Sequence, residues 1–268
     1  MRYRLVATDI DGTLLDQNRE VRESTRRAIQ RLQHRGIPVV LVTARPPATI
    51  IPIYRSLGLT GPVIACTGAL VYDPVANRAL VQHAIPKATA LQVVAAIRSV
   101  DPRINVGADL VTEWHLDRID ERVQRRIAAG MVPILGGLER TLLQSGEEVS
   151  ALSFRVPEAR PAVEAALRRS GLEQELYITS AGGIVDMVAA GVNKGAALRA
   201  LAGMMGVPME QTLAIGDDEN DIPFLAAAGL GIAMGNAAEQ VKAVAGAITG
   251  PNSEDGWAMA MEQFVFAS

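Results

Sequence analysis

The 268-residue sequence predicts an α/β fold: a doubly wound, Rossmann-like core with a parallel sheet and an inserted α+β cap domain. Short apolar runs alternate with amphipathic helical patterns near both ends of the chain, and such alternation is typical of parallel sheets with right-handed crossovers. Between these two stretches the spacing of strands, helices and Gly-Gly turns changes, which indicates a separate unit rather than more of the same sheet.

Three strands and two helices are predicted in the first part of the chain, in the order strand 5–7, helix 23–35, strand 37–42, helix 46–57 and strand 63–66. The strands are short, continuous apolar runs, as expected for parallel strands that are buried on both faces. The first helix has an apolar stripe and stops at Gly36, a common residue after a helix. The second opens on a proline pair, which suits a first helical turn.

The inserted unit is predicted to comprise residues 84–187, and the core residues 1–83 and 188–268. In the inserted unit, helical patterns at 88–100, 118–129 and 158–170 alternate with short strands at 104–106, 110–114, 149–156 and 176–180. The core pattern then resumes with helix 193–205, strand 212–215, helix 222–228, strand 230–233 and closing helices. The two connections, near 82–86 and 187–192, are the expected hinges.

Composition limits the classes of function. A net charge of -3 without a basic stripe argues against a nucleic-acid partner, and no apolar segment approaches the roughly 20 residues of a membrane span. Cys66 is the single cysteine, so an intrachain disulfide and a cysteine metal cluster are excluded and a reducing cytoplasm is favoured. No signal peptide is recognisable. We expect a cytoplasmic protein, monomeric or a small homo-oligomer.

Polar side chains follow the carboxyl ends of the predicted strands: Asp9 and Asp11, Thr43 and Arg45, Thr67, and Asp217 and Asp221. In an open parallel sheet these ends share one edge, where ligands bind at the switch in strand order. Two carboxylates two residues apart on an extended chain point the same way, and they repel unless a cation or a proton lies between them. The four aspartates, which offer only oxygen ligands, match Mg²⁺ rather than zinc or copper.

The order of these residues resembles the four motifs of the haloacid dehalogenase superfamily. The first is residues 9–13, the second Thr43, the third Lys194 and the fourth residues 216–221. The inserted unit resembles the C2-type cap of the Cof-like sugar-phosphate phosphatases. The resemblance spans essentially the whole chain; the first and fourth motifs are specific, whereas a single Thr or Lys gains weight only from its place in this order.

The resemblance implies roles for individual residues. Asp9 is the nucleophile that forms an aspartyl-phosphate, and Asp11 is the general acid and base, with its backbone carbonyl rather than its side chain on the metal. Thr43 holds a phosphate oxygen, and Lys194 offsets charge on the transferring group. Asp217 completes the metal site.

The remaining candidates support the site or contact the substrate. Asp221 is expected to support the metal indirectly or through a water, and Asn220 to contact substrate or phosphate. Arg45 either touches the phosphate or pairs on the surface. Thr67 stands where Cof-like proteins usually carry Asn, and its shorter side chain makes fewer hydrogen bonds. The intervening charges, Asp218 and Glu219, are expected to be solvated.

The implied function is that of a Mg²⁺-dependent phosphatase, which hydrolyses phosphomonoesters of small metabolites such as sugar phosphates. A cap that roofs the site suits a small-molecule phosphate ester rather than a phosphoprotein. Two alternatives stay open: a sugar phosphomutase that uses the same aspartate pair, and a non-catalytic metabolite-binding regulatory protein. Transport driven by ATP is not expected, because there is no membrane span and position 11 is Asp rather than Thr.

Overall fold

The computed structural model describes residues 2–120, 123–124, 127 and 132–267. Its strands are β1 Leu5–Thr8, β2 Val39–Leu41, β3 Val63–Ala65, β4 Leu70–Asp73, β5 Arg78–Gln82, β6 Val106–Asp109, β7 Trp114–Leu116, β8 Ile134–Leu135, β9 Ala151–Phe154, β10 Leu176–Ala181, β11 Ile184–Ala189, β12 Thr212–Gly216, β13 Leu230–Ala233 and β14 Ala247–Ile248. Its α-helices are α1 Glu23–His34, α2 Pro47–Ser56, α3 Lys87–Val100, α4 Leu138–Gln144, α5 Arg160–Arg169, α6 Lys194–Met204, α7 Ile222–Ala227, α8 Glu239–Lys242 and α9 Gly256–Met261. The predicted helix at 118–129 lies partly outside the described residues.

The core is a parallel sheet with the strand order β14-β13-β12-β1-β2. A single parallel bridge between Val42 and Ile64 continues it to β3. The central strand β1 is an unbroken buried run, because helices cover both faces of the sheet. The chain leaves β1 in one direction toward β2 and returns on its other side as β12, so the switch in strand order lies between β1 and β12. This confirms the predicted fold class and places the ligand edge at the ends of these two strands.

An antiparallel hairpin, absent from the predicted pattern, follows β3. Strands β4 and β5 pair with each other, and β4 pairs with β3. Local hydrogen bonds close the turn between them: the Asp73 carboxylate accepts from the backbone N–H groups of Val75 and Ala76, and the Tyr72 hydroxyl donates to Asn77 at 2.6 Å. The predicted alternation of strands and helices leaves no place for this hairpin, in which two adjacent strands pair through their own turn.

The inserted segment forms a second sheet with the order β10-β11-β9-β6-β7-β8, antiparallel except between β7 and β8. An apolar cluster with residues from α3, α4 and α5 packs on it. The predicted strands at 104–106 and 110–114 are misplaced, since the turn falls at Leu110, whose N–H donates to the carbonyl of Glu113. The domain bounds at 84 and 187 stay a prediction.

Three residues of this second sheet lie side by side on neighbouring strands. Gly107 of β6 and Asp186 of β11 both pair in register with Ser153 of β9, so the three occupy one face of the sheet. This face is turned toward the end of the core where β1 and β12 stop, and the three residues line a cavity there together with Asp9 and Asp217. Among the described helices, none is long and apolar enough to cross a membrane.

Candidate active site

Asp9 directly follows β1, and the surrounding backbone fixes its position. Its N–H donates to the carbonyl of Ile215 on β12 at 2.9 Å, and the side chain is 8% exposed. The next residues form a tight turn in which Gly12 has a φ of +81°. A Cβ atom on Gly12 would lie 2.2 Å from Oδ2 of Asp217, so only glycine allows the turn to approach the opposite loop this closely.

Lys194 lies at the first turn of α6, and its side chain extends to Asp9 at the end of β1. The side chain of Asn193 caps this helix by accepting from the N–H of Ala196. The Nζ atom of Lys194 donates to Asp9 Oδ1 at 2.7 Å and to Asp221 Oδ1 at 2.6 Å, and the lysine side chain is buried. Burial alone would lower the pKa of Lys194, but the two carboxylates raise it above the ordinary lysine value.

The loop after β12 carries the other two carboxylates. Asp221 is fully buried, and its Oδ2 accepts from the N–H groups of Asp217 at 2.9 Å and Asp218 at 3.0 Å. Thr13 donates through its hydroxyl to Asp217 Oδ1 at 2.6 Å, which ties this loop to the turn after β1. Hydrogen bonds between side chains therefore connect the two strand ends at the switch point.

The charges of this cluster are not balanced by the protein. Asp9, Asp217 and Asp221 each place one oxygen within 4.8 Å of the others, and Lys194 is the single cation that hydrogen-bonds them among the described residues. Burial raises the pKa of Asp9 well above its usual value; Lys194 opposes this effect, and Asp221 and Asp217 add to it. Burial and the charge of Asp221 raise the pKa of Asp217 to about 7. Crowded hard oxygen donors with excess negative charge fit a divalent cation.

Asp11 points away from this cluster and pairs with Arg45. The guanidinium donates from Nε to Asp11 Oδ2 and from Nη2 to Oδ1, both at 2.6 Å, a bidentate geometry. Burial raises the pKa of Asp11, but the hydrogen bond and the charge of Arg45 outweigh that effect, so the net pKa is lowered. Arg45 therefore contacts Asp11, and its contact with a phosphate stays a prediction.

The remaining predicted residues fall into two groups. Thr43 and Asn220 are buried at the wall of the cavity, and Thr43 Oγ1 accepts from the N–H of Arg45 at 3.2 Å. Thr67 is buried with a φ of +56°, and it is not among the described residues that line the cavity. The structure therefore brings Thr43 and Asn220 to the site, whereas it does not bring the side chain of Thr67 there.

The cavity has a volume of about 630 Å³ and lies between the two sheets. Its floor is the carboxylate edge of the core, and Arg19, Arg45 and Asp218 line the core side as well. Its roof comes from the inserted unit and includes Asn105, Gly107, Asp109, Trp114, Leu116, Ser153, Phe154, Arg155 and Asp186. Polar and apolar groups are mixed in this roof, which is typical of a small-molecule site.

Several contributing residues were not predicted. Asn236 donates to the carbonyl of Gly12 at 2.9 Å, and it follows β13, so the strand-end rule could have found it. Trp257 donates to Thr8 Oγ1 at 2.9 Å behind Asp9, and nothing in its sequence context signals this contact. Asp218 and Glu219 are partly exposed, and both also form hydrogen bonds to the inserted unit, which was not predicted.

Comparison with known proteins agrees with this geometry. The family model described as haloacid dehalogenase-like hydrolase matches residues 6–261. A 5-amino-6-(5-phospho-D-ribitylamino)uracil phosphatase of Bacillus subtilis is 30% identical over 97% of each chain. Among solved structures, a haloacid dehalogenase-like hydrolase of Bacillus subtilis has a TM-score of 0.86 and 25% identity over 98% of this chain and 100% of the other.

A subclass IIB sugar phosphatase of the same superfamily shares the fold, with a TM-score of 0.85 and 24% identity over 97% of this chain and 98% of the other. The family match covers nearly the whole chain, including both sheets and the loop of acidic residues after β12. The phosphatase relative covers the same length. The chain therefore belongs to the haloacid dehalogenase-like hydrolases, and it is an enzyme of the phosphatase class, a phosphoric monoester hydrolase.

Proposed function

We propose that this enzyme hydrolyses phosphomonoesters of small metabolites with the aid of Mg²⁺, through an aspartyl-phosphate on Asp9. The observation that carries the proposal is the division of the aspartates: Asp9 lies in the buried carboxylate cluster beside Lys194, whereas Asp11 is turned out of it. A nucleophile and a proton carrier need different surroundings. Asp9 and Asp11 have different surroundings although they are only two residues apart in the chain.

The cation would be held by Asp9 and Asp217, with the backbone carbonyl of Asp11 as a further ligand and Asp221 in support. When bound, Mg²⁺ would supply positive charge that screens the carboxylates and polarises the phosphoryl oxygens. The donors are all oxygen, which fits Mg²⁺ and does not favour zinc or copper. The excess negative charge left by a single lysine supports this assignment.

In the first half of the reaction, a carboxylate oxygen of Asp9 attacks phosphorus. The new bond joins Asp9 to phosphorus, and the bond between phosphorus and the ester oxygen breaks. The departing oxygen takes a proton from the carboxyl group of Asp11. Lys194 and Thr43 are assigned to the oxygens of the transferring phosphoryl group, where fixed donors stabilise the developing charge.

In the second half, Asp11 takes a proton from a water molecule as that water attacks phosphorus. The bond between phosphorus and Asp9 breaks, which releases inorganic phosphate and restores the Asp9 carboxylate. Arg45 favours the ionised form of Asp11, which is the form required for this step. The proton-donating form of Asp11 that the first half needs is disfavoured by the same contact.

The substrate is proposed to be a small phosphorylated metabolite that fits between floor and roof. A 630 Å³ cavity accepts a sugar phosphate or a phosphorylated polyol with a ring. The relative named above acts on a ribityl phosphate joined to a uracil ring. The mixture of Trp114 with Asn105 and Ser153 in the roof suits a leaving group of that kind.

The test is release of phosphate from a panel of sugar phosphates, polyol phosphates, nucleotides and cofactor phosphates, with Mg²⁺ and with chelator. Free phosphate that requires the metal supports the proposal. Isomerised sugar phosphate without free phosphate would indicate a phosphomutase instead. Tight binding of a metabolite with no turnover of any ester would favour the hypothesis of a non-catalytic metabolite-binding regulatory protein.

A further inference from the structure

The inserted unit contacts the acidic loop of the core through a compact set of hydrogen bonds. We propose that these contacts form a latch, made of Arg160, Gly182, Asp218 and Glu219, through which the inserted unit positions the metal-binding loop. Arg160 Nη1 lies 3.1 Å from both carboxylate oxygens of Glu219. The proposal rests on the proposed function, since Asp217 in that loop is assigned to the metal.

Arg160 is held in place by residues of the inserted unit in addition to Glu219 of the core. Arg160 is the first residue of α5; its Nε donates to Glu164 Oε1 at 2.8 Å, and its Nη1 also donates to Ser180 Oγ at 2.7 Å. A quarter of its side chain is exposed, as is a third of the Glu219 side chain. An arginine fixed by several partners loses little further conformational entropy when it binds one more carboxylate.

Asp218 links the same two units from the core side. Its Oδ2 accepts from the N–H of Gly182 at 2.9 Å, at the tip of the β10–β11 hairpin. Its Oδ1 accepts from the N–H of Glu219 at 2.7 Å and caps the short turn that runs to Asp221. One carboxylate therefore both shapes the loop and binds the hairpin, so a shift of the hairpin cannot leave the loop unchanged.

The latch residues Asp218 and Glu219 lie next in the chain to the residues that are assigned to the metal. Asp217 precedes Asp218 directly, and the carboxylate of Asp221 accepts from the N–H groups of both. Four acidic side chains lie within five residues here. Lys194 neutralises this loop from inside, and Arg160 does so from the side of the inserted unit. Without the ion pair between Arg160 and Glu219, the loop would lose one of its contacts with the inserted unit and would open more readily.

Docking of the inserted unit on the acidic loop and binding of the cation to that loop are then coupled. The coupling works in both directions. If the docked unit tightens the loop around the cation, the cation must strengthen docking by the same factor. Because the ion pair is partly exposed, we expect a moderate effect, about fivefold in the Mg²⁺ dissociation constant.

The test uses the full-length chain with Arg160→Gln, Glu219→Gln and the double variant. Arg168→Gln is the matched control, since Arg168 lies on the same helix and pairs with Glu173 inside the inserted unit. Mg²⁺ affinity is measured by calorimetry without substrate. Hydrogen exchange of peptides covering 178–186 and 214–223 reports docking and loop order in the metal-free protein.

We expect both single variants and the double variant to weaken Mg²⁺ binding by the same factor of about five, because each breaks one shared contact. Exchange should accelerate in both peptides, and Arg168→Gln should change neither measurement. Additive losses in the double variant, or unchanged exchange at 214–223, would overturn the latch. Failure to release phosphate from any ester, with this pattern intact, would overturn the proposed function and leave the latch standing.

Discussion

The floor and the roof of the cavity are built by different means. In the floor, Lys194, Asp217 and Asp221 each make two or more hydrogen bonds to other residues of the core. In the roof, Gly107, Ser153 and Asp186 are placed by strand register on one face of a sheet. A change in the floor disturbs several partners, whereas a change in the roof alters mainly the shape of one surface.

This difference has a consequence for function. Networks of buried charged groups keep one geometry, because each group left unpaired carries a large desolvation cost. A sheet face tolerates exchange of its side chains, since the backbone ladder holds the strands without them. We therefore propose that the floor determines the reaction and that the roof determines the substrate. Substitutions in the two regions should affect different kinetic quantities.

The largest expected effect is that of Asp9→Asn. The amide keeps the shape of the carboxylate but lacks its nucleophilic charge, so turnover should fall by at least about 10³-fold. Burial already disfavours a charge at this position, so the variant should unfold at a temperature no lower than the parent. Phosphate release and thermal unfolding measure the two effects. Activity above a tenth of the parent level would contradict the covalent role of Asp9.

Asp11→Asn should have a large effect that depends on the leaving group. With alkyl phosphates the departing oxygen needs a proton, and we expect a loss of about 10²- to 10⁴-fold in turnover. With p-nitrophenyl phosphate the leaving group needs no proton, so rapid-quench experiments should still detect the phosphorylated enzyme. Equal loss of the phosphorylation step with both substrates would show that Asp11 is not the proton donor.

Asp217→Asn should remove the response to the metal yet stabilise the metal-free protein. The pKa of Asp217 is raised to about 7 in the folded state from 3.8. Its ionisation therefore costs nothing below about pH 4, destabilises the fold increasingly as the pH rises toward 7, and does so fully above it. The gain from Asn should be on the order of 1–3 kcal/mol at pH 8 and should vanish near pH 4.

Denaturant unfolding at pH 4 and pH 8, with Mg²⁺ and with chelator, checks this sign. Asp101→Asn is the opposite control in the inserted unit. The hydrogen bond from Arg103 lowers the pKa of Asp101. Asp101→Asn should therefore not stabilise the protein at any pH. A metal-free Asp217→Asn protein less stable than the parent at pH 8 would contradict the assignment of a repulsive carboxylate cluster.

The contrast between floor and roof also explains how far the sequence could be interpreted. Asp9 and Asp217 were found because acidic residues at the ends of buried strands have few structural reasons to be there. Lys194 begins a helix and was found only through the family resemblance. Asp11 and Arg45 were found as candidates, but their pairing was not, since a bidentate contact depends on side-chain rotamers that spacing does not specify.

In the inserted unit, helices α3 and α5 and strands β9 and β10 were predicted, whereas β8, α4 and β11 were missed and β6 and β7 were misplaced. An antiparallel register depends on where the turn falls, and the apolar residues from 104 to 116 allow more than one position. The latch residue Arg160 could not be found from sequence at all. It lies 59 positions from Glu219, and a lone arginine at the start of a helix has no motif around it.

The smallest predicted effect tests the roof directly, through Gly107→Ala. A Cβ atom at this position would lie 3.2 Å from Leu116 Cδ2 and 3.3 Å from Ser153 Oγ, so side-chain ends must shift by a few tenths of an ångström. Gly107 lies in the roof of the cavity and is not among the residues assigned to the reaction. KM for the best metabolite should rise about threefold to tenfold, and turnover of p-nitrophenyl phosphate should be unchanged.

Gly146→Ala is the matched control for this substitution, because it lies in the same unit, has no neighbour within 4 Å of the added atom and does not line the cavity among the described residues. It should leave both substrates unaffected. If Gly107→Ala lowered turnover of p-nitrophenyl phosphate as much as that of the metabolite, the roof would contribute to the reaction itself. The separation of reaction and specificity between the two regions would then be wrong.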